Sequence, residues 1–356
     1  MIISRLSDVS KGTDNNLNLI RFTAALMVLV SHSFSIVSGN PNDEPFTELL
    51  GKNLGSIAVD VFFIISGFLI SKSFDRRRSI GDYFMSRFLR IYPALIFSSL
   101  LTVVLLGLVF STVSFVEYFT DLSVWQYVLA NSFMLLGPEY LLPGVFVSNP
   151  IGPAVNGSLW TLPYELRMYI LIALILLAFQ YAASKLKIHT RYLVLLLAVF
   201  MVFVNIASMF LALGHENFIR LSTMFILGSS FYFWAAYIPL SGAIVCISLA
   251  VYVTSVSILG GPASEVLYIV LVPYAVCYFA YVPAGRIRRF NDVDDYSYGI
   301  YIYAFPIQQS LILLLPDMSV VQMVGFASLV TLMFAILSWK LVERPSLRLK
   351  ALFTRV

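Results

Sequence analysis

The sequence predicts an all-α protein that is embedded in a membrane as a bundle of about ten transmembrane helices. Hydrophobic residues make up 59% of the 356-residue chain and charged residues only 12%, with a mean hydropathy of +0.87. A soluble domain of this length does not need so much apolar surface. The apolar residues also occur in runs that are long enough to span a membrane, and the basic residues are concentrated in every second loop. These observations predict a polytopic membrane bundle.

Ten apolar runs are each close to the roughly 20 residues that cross a bilayer as a helix. They cover residues 17–38, 56–72, 89–110, 158–180, 192–213, 219–236, 240–258, 265–283, 297–315 and 320–341. The segment 115–136 is more polar because it contains Glu117, Asp121 and Gln126. We interpret this segment as an interfacial or re-entrant helix rather than as a span.

Basic residues are concentrated in every second loop. Loops 73–88, 181–191 and 284–296 and the C-terminal tail carry clusters of Lys and Arg, whereas loop 39–55 carries Lys52 against several acidic residues. The positive-inside rule therefore places both termini in the cytoplasm. An even number of spans satisfies this orientation, and an eleventh span at 115–136 would break it.

Several other classes of protein are disfavoured. The N-terminal residues are polar and mixed, so we expect no cleavable signal peptide, and we expect residues 1–356 to form one transmembrane domain without a fused soluble domain. The net charge of +4 does not indicate nucleic-acid binding, because topology explains where the basic residues lie. Cys246 and Cys277 lack the spacing of a metal site and are typical of packing residues.

His32 is the strongest candidate for a catalytic residue. It is one of three histidines, and the other two fall in predicted loops. A charge at the centre of the bilayer costs roughly 2.5–3.5 kcal/mol or more, so ionisable residues there are seldom without function. An imidazole titrates near neutrality and suits a general base. The alternative is a histidine that only forms hydrogen bonds between helices.

Arg21 precedes His32 on the same predicted span. Eleven residues separate them, and eleven steps of about 100° return to within about 20° of the start, so both side chains share one helical face roughly 16 Å apart. Arg21 is therefore a second candidate functional residue on the face that carries His32. The alternative is that its side chain snorkels to the cytoplasmic interface.

Two carboxylates are candidate catalytic partners of His32. Asp60 and His32 lie roughly 6 Å and 9 Å below the outer ends of their spans, so the carboxylate could orient the imidazole and raise its basicity. Alternatively, Asp60 is hydrated among the lipid headgroups. Glu165 lies about a third of the way into span four. It could partner His32, neutralise Arg167 or line a substrate path.

Two arginines at the inner start of span three are candidates for phosphate binding. Arg87 and Arg90 are an i, i+3 pair, so their guanidinium groups share a face and can hold one anion. The alternative is anchoring by the positive-inside rule, which is our interpretation of the three arginines at 76–78.

Four aromatic residues are candidates for substrate binding. Trp160 and Tyr164 suit an interfacial aromatic belt and equally a platform on which a sugar stacks. Tyr298 and Tyr301 lie in span nine, which we expect Pro306 to kink. Tyrosines at such positions are more often packing residues than catalysts.

Together these motifs resemble the acyltransferase-3 family of integral membrane acyltransferases. Six elements match in order over nearly the whole chain: Arg21 to His32, the segment that begins at Asp60, Arg87-x-x-Arg90-x-x-Pro93, Ser158 to Glu165, Ser297 to Tyr301, and Leu341 to Pro345. Each element is weak alone, and the ordered set is a strong signal. Many members carry a second histidine where this chain has Ala304, so we expect His32 to be the sole intramembrane histidine.

The resemblance implies a multi-pass enzyme of the bacterial inner membrane, in contact with membrane lipid. Its co-substrate would be a cytoplasmic acyl-CoA, usually acetyl-CoA, with no tightly bound cofactor and no metal. The acceptor would be a hydroxyl of a surface or secreted carbohydrate, such as an O-antigen or exopolysaccharide, or of its lipid-linked precursor. The residues that the family treats as essential correspond to His32, Arg21, Arg87 and Arg90.

A transporter or flippase of a lipid-linked glycan is the rival interpretation. Ten spans with a polar stripe suit that function equally well, but the sequence shows no inverted repeat or paired broken helices, which would favour transport. A structural partner in an export complex is the third possibility, and the set of intramembrane charges disfavours it.

Overall fold

The computed structural model describes residues 4–76, 79–134, 137–211, 213–258 and 261–353. The predicted anchors Arg77 and Arg78, and Arg355 in the tail, lie outside these ranges. The helices are α1 (Leu6–Val9), α2 (Leu17–Ser38), α3 (Thr47–Leu50), α4 (Leu54–Arg76), α5 (Ile80–Phe110), α6 (Phe115–Thr120), α7 (Leu122–Phe133), α8 (Leu162–Leu186), α9 (Thr190–Ser208), α10 (Glu216–Phe233), α11 (Gly242–Ile258), α12 (Gly261–Tyr281), α13 (Ser297–Leu314), α14 (Val320–Ser338) and α15 (Arg344–Phe353). Two-residue strands β1 (Ser4–Arg5) and β2 (Pro239–Leu240) pair antiparallel.

The all-α membrane architecture is confirmed. Within the described ranges, seven helical segments are long and apolar enough to cross a membrane. Each of the other three predicted spans is also a helix, namely α10, α11 and α13, of 18, 17 and 18 residues. These three are shorter or more polar, so the count of ten spans and the cytoplasmic termini stay predictions.

The segment 115–136 does not form a continuous helix in its described part. It divides at Asp121 into α6 and α7, of 6 and 12 residues. Twelve residues of helix measure about 18 Å, which is short of the roughly 30 Å hydrocarbon core. This agrees with the interpretation of the segment as an interfacial or re-entrant element.

The predicted start of span three at residue 89 was wrong, because α5 begins at Ile80. Ser79 caps the helix by accepting a hydrogen bond from the backbone N–H of Asp82. Residues 80–88, predicted to lie in a loop, are therefore helical, and so is Arg87. A polar first turn with a good N-cap lengthens the helix beyond its apolar part.

The chain forms two compact units. The first comprises Met1–Ala24, Phe46–Arg76 and Arg167–Val293, and the second comprises Ala25–Pro45, Arg77–Leu166 and Asp294–Val356. The first part of α2 thus belongs to the first unit and the remainder, with His32, to the second.

In the first unit, α4 and α10 approach each other closely through two glycines. A Cβ atom on Gly67 would lie 1.9 Å from the carbonyl oxygen of Phe225, and one on Gly228 would lie 2.1 Å from that of Ile64. Small residues allow such backbone contact between membrane helices. This contact fixes the rotation of α4 and therefore the direction of Asp60.

Loops of the first unit that are predicted to share a membrane side are in contact. Lys52, in a predicted outer loop, forms an ion pair at 2.8 Å with Glu265 at the outer end of the predicted span 265–283. The side chain of Asn16, on the predicted inner side, donates to the carbonyl oxygens of Phe279 and Pro283 near the inner end of the same span, at 2.9 Å each. These contacts agree with the alternation of sides, without showing which side is cytoplasmic.

Candidate active site

The site around His32 is built by the part of α2 from Ala25 onwards, by α13 and by the turn that precedes α8, all in the second unit. The imidazole Nδ1 lies 3.4 Å from the hydroxyl of Ser158, which is fully buried. The ring of Phe305 packs edge-to-face against the imidazole, with centroids 5.2 Å apart. His32 is half-buried, and its Nε2 has no hydrogen-bond partner in the described part of the chain. One nitrogen is thus held while the other is available.

Ser158 is fixed by a 3-10 turn, Gly157–Thr161. The side chain of Asn156 accepts a hydrogen bond from the Ser158 backbone N–H at 3.3 Å. The hydroxyl of Tyr301 donates to the Ser158 carbonyl at 2.6 Å and lies 2.6 Å from the hydroxyl of Thr161. Tyr301 was predicted to bind substrate, but its buried hydroxyl is committed to this turn, which favours a positioning role.

The turn also lies very close to α13. A Cβ atom on Gly157 would lie 2.8 Å from the ring of Phe305, so only glycine fits without a shift. Asn156 donates to the carbonyl of Ile302 at 2.8 Å. Further along, Gln309 donates to the carbonyl oxygens of Gly152 and Ala154, at 3.0 Å and 2.8 Å. Residues 152–158 are thereby fastened to α13.

The neighbours of His32 on α2 are also hydrogen-bonded. Ser31 donates to Glu44 Oε2 at 2.6 Å, which ties loop 39–45 to the helix. Burial raises the pKa of the Glu44 carboxyl, and the hydrogen bond from Ser31 offsets part of that rise. On the other side, Gln308 of α13 donates to Ser33 at 2.7 Å. The turn of α2 that carries His32 therefore has a fixed rotation.

Asp60 does not have the environment that we predicted. It is completely buried rather than hydrated. Its Oδ1 accepts a hydrogen bond from Arg220 at 2.8 Å, and its Oδ2 accepts one from Tyr268 at 2.9 Å. Both oxygens are thus engaged within the first unit, and neither contact involves His32. Buried ions are stable in proteins when they are paired and hydrogen-bonded in this way.

Arg90 is engaged with carboxylates at the end of the second unit that is predicted to be cytoplasmic. Its Nη2 contacts Asp295 at 2.6 Å, and its Nη1 lies 3.9 Å from Glu343. Asp295 also accepts hydrogen bonds from Ser297, the first residue of α13, through its backbone N–H at 3.2 Å and its hydroxyl at 2.5 Å. Arg87 lies over the ring of Tyr83, 5.6 Å from its centre. The two arginines therefore have different surroundings although they share a helix face.

The remaining candidates lie in the 3-10 turn before α8 and on the helices α8, α13 and α2. Trp160 and Tyr164 are half-buried and pack edge-to-face with centroids 5.9 Å apart. Glu165 follows them and interacts electrostatically with Tyr298, whose hydroxyl donates to the carbonyl of Ile91 at 3.1 Å. Arg21, in the first unit, interacts electrostatically with Tyr281 of α12.

Three residues of these networks were missed as partners. In the sequence, Ser158 is only one residue of a longer motif. Arg220 is one cation at the start of a predicted span, and Asp295 is one of several acidic residues in a loop. A contact between distant segments leaves no local pattern, so the sequence offered no signal for these pairings.

The fold and this site define a polytopic membrane protein with a part-buried serine–histidine contact between helical segments of its second unit. A family model described as "Acyltransferase domain" matches residues 14–341. An O-acetyl transferase of Shigella phage Sf6 is 33% identical over 343 residues, which is 93% of this chain and 95% of the phage protein. The chain therefore belongs to the acyltransferase-3 family and is an O-acetyltransferase.

A second relative is similar over a shorter region. Nodulation protein 10 of Rhizobium leguminosarum bv. viciae is 33% identical over 175 residues, which is 47% of this chain and 45% of that protein. No solved structure matches significantly.

Proposed function

We propose that this enzyme transfers an acetyl group from cytoplasmic acetyl-CoA to a hydroxyl of a surface or secreted polysaccharide, or of its lipid-linked precursor, in the bacterial inner membrane. The contact between His32 Nδ1 and Ser158, which leaves Nε2 available, is the observation that carries this proposal. The similarity to an O-acetyl transferase and a nodulation protein supports the reaction class.

His32 acts as the general base. The lone pair of Nε2 takes the proton of the acceptor hydroxyl while the hydroxyl oxygen attacks the carbonyl carbon of the thioester. The carbon–sulfur bond then breaks, and the CoA sulfur leaves with the proton that the imidazolium returns. The products are an acetyl ester and free CoA, and the histidine returns to its neutral form. A single histidine suffices for both proton transfers.

The donor binds from the cytoplasmic side. Arg87 and Arg90 are both candidates for contact with its phosphates, and at Arg90 an incoming anion would have to compete with Asp295, which the guanidinium bonds at 2.6 Å. Arg21 is a further candidate for binding the donor.

The acceptor sugar binds beside the turn that carries Ser158. Trp160 and Tyr164 lie within two helical turns of Ser158, and their half-buried rings form a platform for the apolar face of a sugar. Glu165 lies next to Tyr164 and binds sugar hydroxyls. The hydroxyls of Tyr298 and Tyr301 donate to backbone carbonyls, so these two residues shape the site rather than contact the sugar.

The cellular test is an NMR comparison of the host's surface polysaccharide. Cells that produce the wild-type enzyme or His189→Gln are expected to show O-acetyl resonances, because His189 is an exposed residue at the start of α9. Cells that produce His32→Ala at equal protein level are expected to lack them. O-acetylation that persists with His32→Ala contradicts the general-base role.

A further inference from the structure

Several buried polar atoms in the second unit have no hydrogen-bond partner among the described residues. They include the hydroxyl of Tyr303, Nε1 of Trp339 and Oε2 of Glu343. The three residues are only 4%, 8% and 1% exposed. Native proteins contain few such atoms, because leaving them without a partner destabilises the fold. Three of them together therefore indicate a partner that the chain does not itself supply.

The three residues belong to one cluster around Arg90. The guanidinium lies 5.5 Å from the centre of the Trp339 ring, and its Nη1 is 3.9 Å from Glu343 Oε2. Ser338 donates to the other carboxylate oxygen of Glu343 at 3.2 Å. Tyr303 interacts with the Ser338 hydroxyl and electrostatically with Glu343, but neither contact meets hydrogen-bond geometry at the Tyr303 hydroxyl. The unpartnered atoms thus come from α13 and from the segment that follows α14.

The chemistry of these atoms restricts their partner. The indole N–H of Trp339 can only donate, the carboxylate of Glu343 can only accept, and a tyrosine hydroxyl can do either. An anion is disfavoured, because Asp295 already balances the charge of Arg90 and Glu343 adds a further carboxylate. A neutral group with both an acceptor and a donor fits, and a secondary amide has this combination.

We propose that this cluster binds a secondary amide of the pantetheine arm of the acyl-CoA donor. The amide carbonyl accepts from Trp339 and Tyr303, and the amide N–H donates to Glu343. The inference rests on the proposed function, which requires the uncharged arm to leave water, where its amides need new partners.

The position of the cluster suits this role. α13 begins at Ser297, which bonds the Arg90 partner Asp295, and reaches Phe305 beside His32. Eight residues of helix separate Ser297 from Phe305, a rise of about 12 Å. An arm held near the start of α13 is therefore directed along this helix towards the catalytic histidine.

The test compares three thioester donors on the purified enzyme: acetyl-CoA, S-acetyl-pantetheine and an S-acetyl alkanethiol that contains no amide. Tyr303→Phe removes only the hydroxyl, and Trp339→Phe removes the indole N–H while keeping an aromatic, smaller side chain. For the two amide-containing donors, each variant is expected to raise KM about 2- to 10-fold, with kcat changed less than about twofold. For the amide-free donor, KM is expected to equal that of the wild type.

Matched controls remove a satisfied hydrogen bond elsewhere in the second unit. The Tyr118 hydroxyl donates to the Val103 carbonyl at 3.1 Å, and Trp125 Nε1 donates to the Phe119 carbonyl at 3.1 Å. Tyr118→Phe and Trp125→Phe are expected to leave KM unchanged for all three donors.

An unchanged KM with amide-containing donors would overturn the inference, and so would an equal rise with the amide-free donor. Either result assigns the cluster to an internal water or to packing. Tyr303→Phe and Trp339→Phe test the inference independently, so if one variant does not fold, the KM of the other still decides the outcome. Failure of the wild-type enzyme to use acetyl-CoA would instead overturn the proposed function. Equilibrium dialysis of CoA against His32→Gln separates failure of the inference from failure of the proposed function. This variant is expected to bind CoA although it does not catalyse transfer.

Discussion

At the scale of single residues, the partner of His32 is the Ser158 hydroxyl. The depth of Asp60 in its predicted span had suggested a carboxylate partner instead. When Nδ1–H donates to the Ser158 hydroxyl, the lone pair of Nε2 remains for the substrate. A contact of 3.4 Å is long, and such contacts are often long before substrate binds. Because a hydroxyl can either accept from or donate to Nδ1, this neutral partner orients the ring, and it does not stabilise the imidazolium as a carboxylate would.

Loss of the Ser158 hydroxyl is expected to lower kcat. Ser158→Ala removes the hydrogen bond that orients the ring, so kcat falls about 3- to 30-fold while KM for acetyl-CoA stays close to the wild-type value. Ser99→Ala is the control, because Ser99 is also buried and its hydroxyl only bonds the Leu95 carbonyl at 2.8 Å. A Ser158→Ala enzyme with wild-type kcat and pH profile would show that His32 does not depend on this serine.

Asp60 is expected to matter for stability and not for the chemical step. Asp60→Ala leaves the guanidinium of Arg220, which is 14% exposed, without its carboxylate. Removing one partner of a buried pair costs about 3–5 kcal/mol. Thermal unfolding in detergent checks the loss, and an Asp60→Ala/Arg220→Leu double variant should recover part of it. Full stability combined with lost turnover would assign Asp60 to catalysis after all.

At the scale of elements, apolar length predicted the helices well and their ends poorly. The prediction for α2 matches at both ends, Leu17 and Ser38. α5 extends nine residues before its predicted start at 89, since its first turns are polar and capped. The 3-10 turn before α8 and the short π-helix Trp339–Glu343 had no sequence signal, yet they carry Ser158 and the unpartnered cluster residues. The depth of a residue along its helix likewise did not predict towards which neighbouring helix its side chain is directed.

The glycine contact between α4 and α10 is expected to be essential for folding. In Gly67→Ala, the new methyl group would lie 1.9 Å from the Phe225 carbonyl oxygen, so the helices must move apart and the variant loses stability by about 1–3 kcal/mol or more. Gly325→Ala is the control, because no atom lies within 4 Å of a Cβ there. Fluorescence-detected size-exclusion chromatography compares the two. Equal monodisperse yields would contradict the close packing.

At the scale of the whole molecule, composition predicted the membrane class and the order of motifs predicted the family. Neither could predict the interior networks, which join residues far apart in the chain, such as Asp60 with Arg220 and Arg90 with Asp295. The orientation also rests on charge alternation alone. It therefore needs its own measurement.

Single cysteines are expected to report the orientation of the chain. In a Cys246→Ser/Cys277→Ser background, Asp317→Cys lies in an exposed predicted outer loop and Arg286→Cys in an exposed predicted inner one. A membrane-impermeant maleimide added to intact cells should label the first variant and spare the second. The opposite pattern would place the termini outside.

The central claim, that this enzyme acetylates a carbohydrate hydroxyl with His32 as the base, is tested most directly with purified protein in liposomes. The measurement is transfer of a labelled acetyl group from acetyl-CoA to the acceptor polysaccharide or its lipid-linked precursor. The wild-type enzyme and His189→Gln are expected to transfer label at the same rate, and His32→Gln at least about 100-fold more slowly. Transfer by His32→Gln at the wild-type rate would contradict the mechanism, and movement of the glycan across the bilayer by the wild-type protein without acetyl transfer would contradict the function.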